Sequence, residues 1–174
     1  MPKSATLLLI RHAEKSGDPD DTGLTPAGEA RAQAYAVFFQ RMMSGTSRLP
    51  PPAFLIAAAI APDSHRAHST LEPLAVALGI EIDARVADGD YPTLARRLLE
   101  DARYDGATTL VCWTHKKILG LAKALGAPDS LLPKQWPDDT FGWMLRLEYD
   151  AAGTLADATL ASQRLMFGDC GDEP

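Results

Sequence analysis

The chain has 174 residues, 46% of them apolar and 23% charged, the profile of one ordinary globular domain with enough length for a substantial core. Its formal net charge is -6 and its densest basic clusters are only Lys116-Lys117 and Arg96-Arg97. That excludes a general nucleic-acid binder, which needs a basic face to displace counterions, but leaves open a small anionic substrate held by a few local cations. The longest apolar stretch, residues 53–61, is too short to span a bilayer.

Residues 6–10, Thr-Leu-Leu-Leu-Ile, read as a buried parallel strand. A polar loop, 16–23, follows. Thr25 then caps a helix that has Pro26 in its first turn and runs to about Met43. Residues 44–52 end in three prolines and are excluded as helix or central strand. Residues 54–59 form a second apolar strand. Ser64 is the expected cap of a helix reaching Leu78, where Gly79 stops it. Residues 80–82 read as a short strand and 91–102 as a helix with Leu94, Leu98 and Leu99 on one face. Residues 108–113 are a third core strand, and 116–125 a helix stopped by Gly126 and Pro128. Residues 144–150 and 154–160 read as antiparallel strands joined at Ala151-Ala152-Gly153, and the acidic tail 167–174 as loose.

Strands alternate with helices and neither repeat nor linker interrupts them. The expected architecture is a single α/β domain over 1–174. It is a three-layer sandwich with a mainly parallel central sheet, helices on both faces and an antiparallel C-terminal addition. Cys112 and Cys170 show no disulfide or metal spacing and no secretory signal opens the chain, which fits a reducing cytoplasm. His12, His65, His68 and His115 have no carboxylate or cysteine spacing around them, so no metal and no cofactor is expected.

The chemistry concentrates behind the strands. Arg11-His12 follows the first, Arg66 the second, and His115 lies two residues past the third. If these strands are parallel, all three loops open on the same sheet edge, where ligands of open α/β sheets bind. Two Arg and two His there suit phosphoryl transfer, which is mostly positioning and charge stabilisation. Arg11 and Arg66 offer planar donor forks to phosphoryl oxygens. His12 is the candidate nucleophile, forming a covalent phosphohistidine, and His115 a donor to the same oxygens. Lys15 is a candidate phosphate contact at the rim. Asp88 and Asp90, with Glu14 as a third possibility, are candidates for the acid that protonates the leaving oxygen. Trp113 and Trp136 read as core or rim packing.

Four blocks carry a resemblance to a known family. They are Leu7-Leu8-Leu9-Ile10-Arg11-His12-Ala13, Leu24-Thr25-Pro26-Ala27-Gly28-Glu29-Ala30-Arg31-Ala32, Arg66-Ala67-His68-Ser69-Thr70-Leu71-Glu72-Pro73-Leu74-Ala75, and Leu110-Val111-Cys112-Trp113-Thr114-His115. In this order, across residues 7 to 126, the chain resembles the histidine phosphatase superfamily, the phosphoglycerate mutase-like group, as a small single-domain member. The resemblance implies a phosphatase acting on phosphate monoesters or phosphoramidates through phosphohistidine at His12. Arg11, Arg66 and His115 would form the rest of the phosphate pocket. The substrate would be a phosphorylated small molecule or a phosphoprotein, with neither nucleic acid nor membrane as a partner. A catalytically weak phosphate-binding module and a mutase are the alternatives. Ala13 stands where the family has Gly, Arg31 where it has Gln and Lys116 where Gly is common, and the family's acidic Glu has no clear match. The absence of a large insertion after Arg66 disfavours a mutase, which must shield its intermediate from water. Natural substrate and oligomeric state are not encoded in these motifs.

Overall fold

The computed structural model describes residues 1–18, 20–44, 47–171 and 174. In chain order its elements are β1 (Thr6–Arg11), α1 (Pro26–Phe38), β2 (Met43–Ser44), β3 (Ser47–Arg48), β4 (Phe54–Ala58), α2 (Arg66–Leu78), β5 (Ile82–Val86), α3 (Tyr91–Glu100), β6 (Thr108–Trp113), α4 (Ile118–Ala124), β7 (Trp143–Tyr149) and β8 (Leu155–Ser162). Six strands form one sheet in the order β5-β4-β6-β1-β7-β8. The first four are mutually parallel, and β7 and β8 add antiparallel at one side.

The order fixes where a ligand fits. The chain steps from β1 past the later position of β6 to β4 and on to β5, then reverses to insert β6 beside β1. Right-handed crossovers in opposite directions place helices on opposite faces. Accordingly α1 packs on α2, while α3 packs on α4. The carboxyl ends of β1 and β6 therefore send their chains to different faces and leave a crevice between them. Arg11 pairs with Trp113 in this register, so the residues after both strands, including His12 and His115, emerge side by side.

Burial follows the same layering. All of β6 and nearly all of β1 are buried, which is why both strands are apolar runs without alternation. β7 alternates buried and half-buried residues because only one of its faces is covered in full, and β8 is an edge strand.

Several boundaries differ from expectation. α1 ends at Phe38 rather than near Met43, because the chain turns there to bury Phe39 and Met42 against the core. Within the stretch read as loop, β2 and β3 pair antiparallel, outside the main sheet. Ser64 does not cap α2: its backbone N–H and C=O both pair with Ala61, and His65 takes the cap position. Gly79 ends α2 as expected, in the left-handed conformation. β5 lies at 82–86 rather than 80–82. As a half-exposed edge strand it carries the Asp83–Arg85 ion pair, which masks the apolar signal. α4 starts at Ile118, whose N–H bonds to the Thr114 carbonyl.

The tail is not loose through Gly171. Phe167–Gly171 forms a 3-10 turn, with Asp169 buried against Arg31. An acidic composition reads as solvated only when no buried cation awaits it. Among the described residues no helix is long and apolar enough to cross a membrane.

Candidate active site

The β1–β6 ladder continues one residue beyond β1, as the His12 N–H donates to the Trp113 carbonyl at 3.0 Å. This fixes the His12 backbone at the sheet edge, and its side chain is only 4% exposed. The ring Nδ1 lies 2.8 Å from the Ala13 carbonyl oxygen. A carbonyl only accepts, so Nδ1 carries the proton and Nε2 keeps the lone pair. Burial pushes the imidazole pKa down to about 3, outweighing the opposing pull of the Ala13 carbonyl, and the charges of Arg11, Arg66 and His115 act in the same direction as burial. The ring is neutral at physiological pH, as a nitrogen nucleophile must be.

Arg11 lies beneath it, fully buried. Its Nη1 donates to the carbonyls of Pro137 and Thr140 at 2.9 and 3.0 Å, and its guanidinium carbon sits 3.9 Å from the centre of the Phe141 ring. Burial lowers its pKa to about 10 against the opposing charges of Asp138, Asp139 and Glu14, so it remains a cation at neutral pH. Its Nε and Nη2 are buried and have no partner among the described residues, and the same holds for His115 Nδ1. The His115 ring stands 6.5 Å from that of His12, nearly perpendicular to it. A buried polar atom without a partner costs about 1–3 kcal/mol. Three of them beside a neutral imidazole mark a place for ligand oxygens.

Arg66 opens α2 and reaches back to the 16–23 loop. Its Nε donates to the Gly23 carbonyl at 3.0 Å and its Nη2 to that of Asp21. Thr70, one turn along, joins this arginine to the His12 loop. Its hydroxyl accepts from the Ala13 N–H at 2.9 Å and donates to the Arg66 carbonyl at 2.7 Å. Thr70→Val keeps the shape but strands both groups. We expect a loss of about 1–3 kcal/mol in urea unfolding, with Thr70→Ser restoring most of it. Helix α1 presses on the same loop from the other side: a Cβ at Gly28 would meet the Glu14 carbonyl oxygen at 2.4 Å, so only glycine fits.

A cavity of about 340 Å³ opens above these groups, with His12, Lys15, Arg66, Asp88, His115 and Lys116 in its wall. Asp88 is anchored there, since its Oδ1 accepts from the Thr114 hydroxyl at 2.7 Å and its carbonyl from the Trp113 indole N–H at 3.2 Å. Asp90 stands apart: it is exposed at the end of the Asp88–Asp90 turn and outside the cavity wall. Glu14 faces Arg31 at 2.7 Å. Trp113 and Trp136 are core residues. No motif or spacing in the sequence singles out Phe141, Asp138 or the carbonyls that hold Arg11. Thr70 lay within a quoted block but without a role.

No family model and no curated protein matches the chain. Solved structures do. The protein histidine phosphatase SixA, solved with tungstate, shares 18% identity at a TM-score of 0.53, covering 88% of this chain and 96% of its own. The mycobacterial glucosyl-3-phosphoglycerate phosphatase shares 16% at 0.54, over 93% and 99%. Phosphoglycerate mutase from Plasmodium falciparum shares 15% at 0.54, over 97% and 93%. The fold is that of the histidine phosphatases. The expected α/β class, with parallel strands and an antiparallel C-terminal pair, agrees with both the strand order and these likenesses. Of the expected site residues, His12, Lys15, Arg66, Asp88 and His115 stand in the wall of this cavity at the β1–β6 switch point, while Arg11 lies beneath His12, Glu14 faces Arg31 and Asp90 stands outside.

Proposed function

We propose that this chain is a phosphatase that hydrolyses phosphate monoesters or phosphoramidates through a phosphohistidine at His12. The observation carrying this reading is the neutral His12 imidazole, its Nδ1 proton tied to the Ala13 carbonyl, beside the unpartnered Nε and Nη2 of Arg11 and Nδ1 of His115. Nε2 attacks phosphorus as the bond to the leaving atom breaks, and the leaving atom takes a proton. Water then attacks the phosphohistidine, the P–N bond breaks, and inorganic phosphate leaves with His12 neutral again. In this reading the unpartnered nitrogens of Arg11 and His115 serve the phosphoryl oxygens, Arg66 adds its charge from the cavity wall with Nε and Nη2 held by the Gly23 and Asp21 carbonyls, and Lys15 stands at the rim. The two guanidinium groups supply positive charge for which other phosphoryl-transfer sites use a metal ion, so the reading requires none.

Asp88 is the acid that this arrangement favours over Asp90 and Glu14. It alone of the three lines the cavity, and its Thr114 bond holds the carboxyl in place. In the first step it gives its proton to the leaving oxygen, and in the second it takes one from the attacking water. The small cavity and the short turn between β5 and α3, with no lid over them among the described residues, suit a hydrolase on an accessible phosphoryl group, whether on a small molecule or a protein side chain. Cys112, a buried free thiol, suits a reducing cytoplasmic setting.

Phosphate release from phenyl phosphate, acetyl phosphate and a phosphohistidine peptide tests the reading. Asp88→Asn is expected to slow the phenyl ester about 10²-fold or more, as loss of a general acid does, and acetyl phosphate far less, because its leaving group needs no proton. Binding of phosphate without release from any of the three substrates would sink it and favour a binding module.

A further inference from the structure

The second histidine has a partner that the phosphatase reading leaves unused. His115 Nε2 lies 3.0 Å from Asp138 Oδ1, while Nδ1 is buried with no partner among the described residues. A carboxylate only accepts, so Nε2 carries a proton. In a neutral ring Nδ1 would then hold a lone pair, which repels a phosphoryl oxygen. Only the imidazolium presents N–H groups at both positions.

We propose that Asp138 is a positioning residue that keeps His115 in the imidazolium form when an oxyanion fills the cavity, so that Nδ1–H donates to it. The proposal rests on the cavity being the oxyanion site described above. The loop supports it independently. Trp136 donates its indole N–H to the Thr140 carbonyl at 2.9 Å, in the buried interior, and Pro137 and Thr140 hold Arg11 from the same short segment. One hydrogen-bonded stretch of backbone therefore sets both the guanidinium and the carboxylate.

The balance of charge around His115 shows why the carboxylate matters. Arg11, Lys116 and Lys15 all disfavour its protonation, and burial disfavours it more; Asp138 opposes them. His12 faces it across the cavity, and Arg66, Asp63 and Asp88 share the wall. Removing the Asp138 charge leaves the cations in place, so His115 gives up its proton at lower pH.

The test is tungstate binding by calorimetry from pH 5.5 to 8.5, with the His115 ring followed by nitrogen-15 NMR in the same samples. Tungstate is kept dilute enough to remain the monomeric dianion across this range, so the protein's titration is what the profile reads. In the unaltered chain affinity falls as pH rises through the His115 titration. Asp138 is 78% exposed, so solvent screens it. Asp138→Asn is expected to move the midpoint about one unit lower and weaken tungstate about tenfold at pH 7, with Asp138→Glu restoring most of both. Superimposable profiles for the Asn variant and the unaltered chain would overturn the proposal, as would failure to bind tungstate at any pH. A shifted profile in a protein that hydrolyses no phosphate ester would uphold it and remove the phosphatase reading instead.

Discussion

His12→Ala is expected to abolish turnover, by roughly 10⁴-fold or more in kcat, the scale seen when a covalent nucleophile is removed. The reason is geometric. Among the described residues, only the His12 ring has its Nδ1 proton tied to a backbone carbonyl, which leaves Nε2 a lone pair, while His115 is tied to Asp138 through Nε2 and Lys15 and Lys116 are exposed at the rim. Incubation with radiolabelled acetyl phosphate, followed by an alkaline quench, should leave base-stable, acid-labile label on His12 and none in the alanine variant. Label on any other residue would refute the assignment. The acid side of the pH profile offers a second check. His12 needs to be neutral, and its pKa is pushed down to about 3, so it contributes no fall in kcat/KM between pH 7 and about pH 4. The same depression acts on stability with a definite sign. The unfolded chain binds a proton at this residue near its ordinary value of 6.5 and the folded chain does not. Folding therefore weakens as pH drops below that value, and His12→Ala lessens this acid sensitivity.

Asp169→Ala carries the largest expected effect on stability. Asp169 and Arg31 are each 2% exposed and form two bonds, from Nη2 to Oδ1 at 2.7 Å and from Nη1 to Oδ2 at 3.0 Å. Arg31 completes its fork on Glu14, a carboxylate 20% exposed, through Nε and Nη2. Breaking a buried pair by removing one partner leaves a desolvated charge and costs about 3–5 kcal/mol. For a chain of this length that corresponds to a fall of about 10 °C in Tm. Removing both charges with Arg31→Met and Asp169→Leu should cost less than the single change, because the one partner left behind, Glu14, is 20% exposed and reaches water, whereas Arg31 does not. A double variant less stable than Asp169→Ala would refute this account.

The pH dependence of this contribution has the opposite origin to that of His12 but the same direction. Burial alone would raise the Asp169 pKa. The Arg31 bonds and the N–H groups of Met166 and Leu165 more than reverse this and hold it below the usual carboxylate value. The stabilisation is complete above the unfolded pKa and is lost as pH falls through the folded one, so Asp169→Ala should flatten the acid end of the stability profile.

This ion triad also shows how the sequence can mislead. Arg31 read as a helix residue differing from the family's Gln, and Asp169 as part of a loose tail; Glu14 read as pairing with a nearby cation ahead of acting as an acid, which the structure bears out without the sequence having named the cation. Each reading was local. What unites them is a contact between residue 31 and residue 169 across 138 positions, and no periodicity or spacing encodes that. The tail docks because Arg31, buried on the inner face of α1, needs a second carboxylate.

The sequence by itself determined the layered α/β class, the order of strands and helices, and the identity of the cationic and imidazole groups behind β1, β4 and β6. It could do so because buried parallel strands must be apolar on both faces, and because the residues that follow such strands stand at one sheet edge. Only the tertiary structure decided which groups meet there. It placed Asp88 in the wall and Asp90 outside it, gave Thr70 the relay between two loops, and brought Pro137, Asp138, Thr140 and Phe141 against Arg11 and His115. These are contacts between segments far apart in the chain. They are set by crossover handedness and by the need to satisfy buried charge, and both act in space rather than along the sequence.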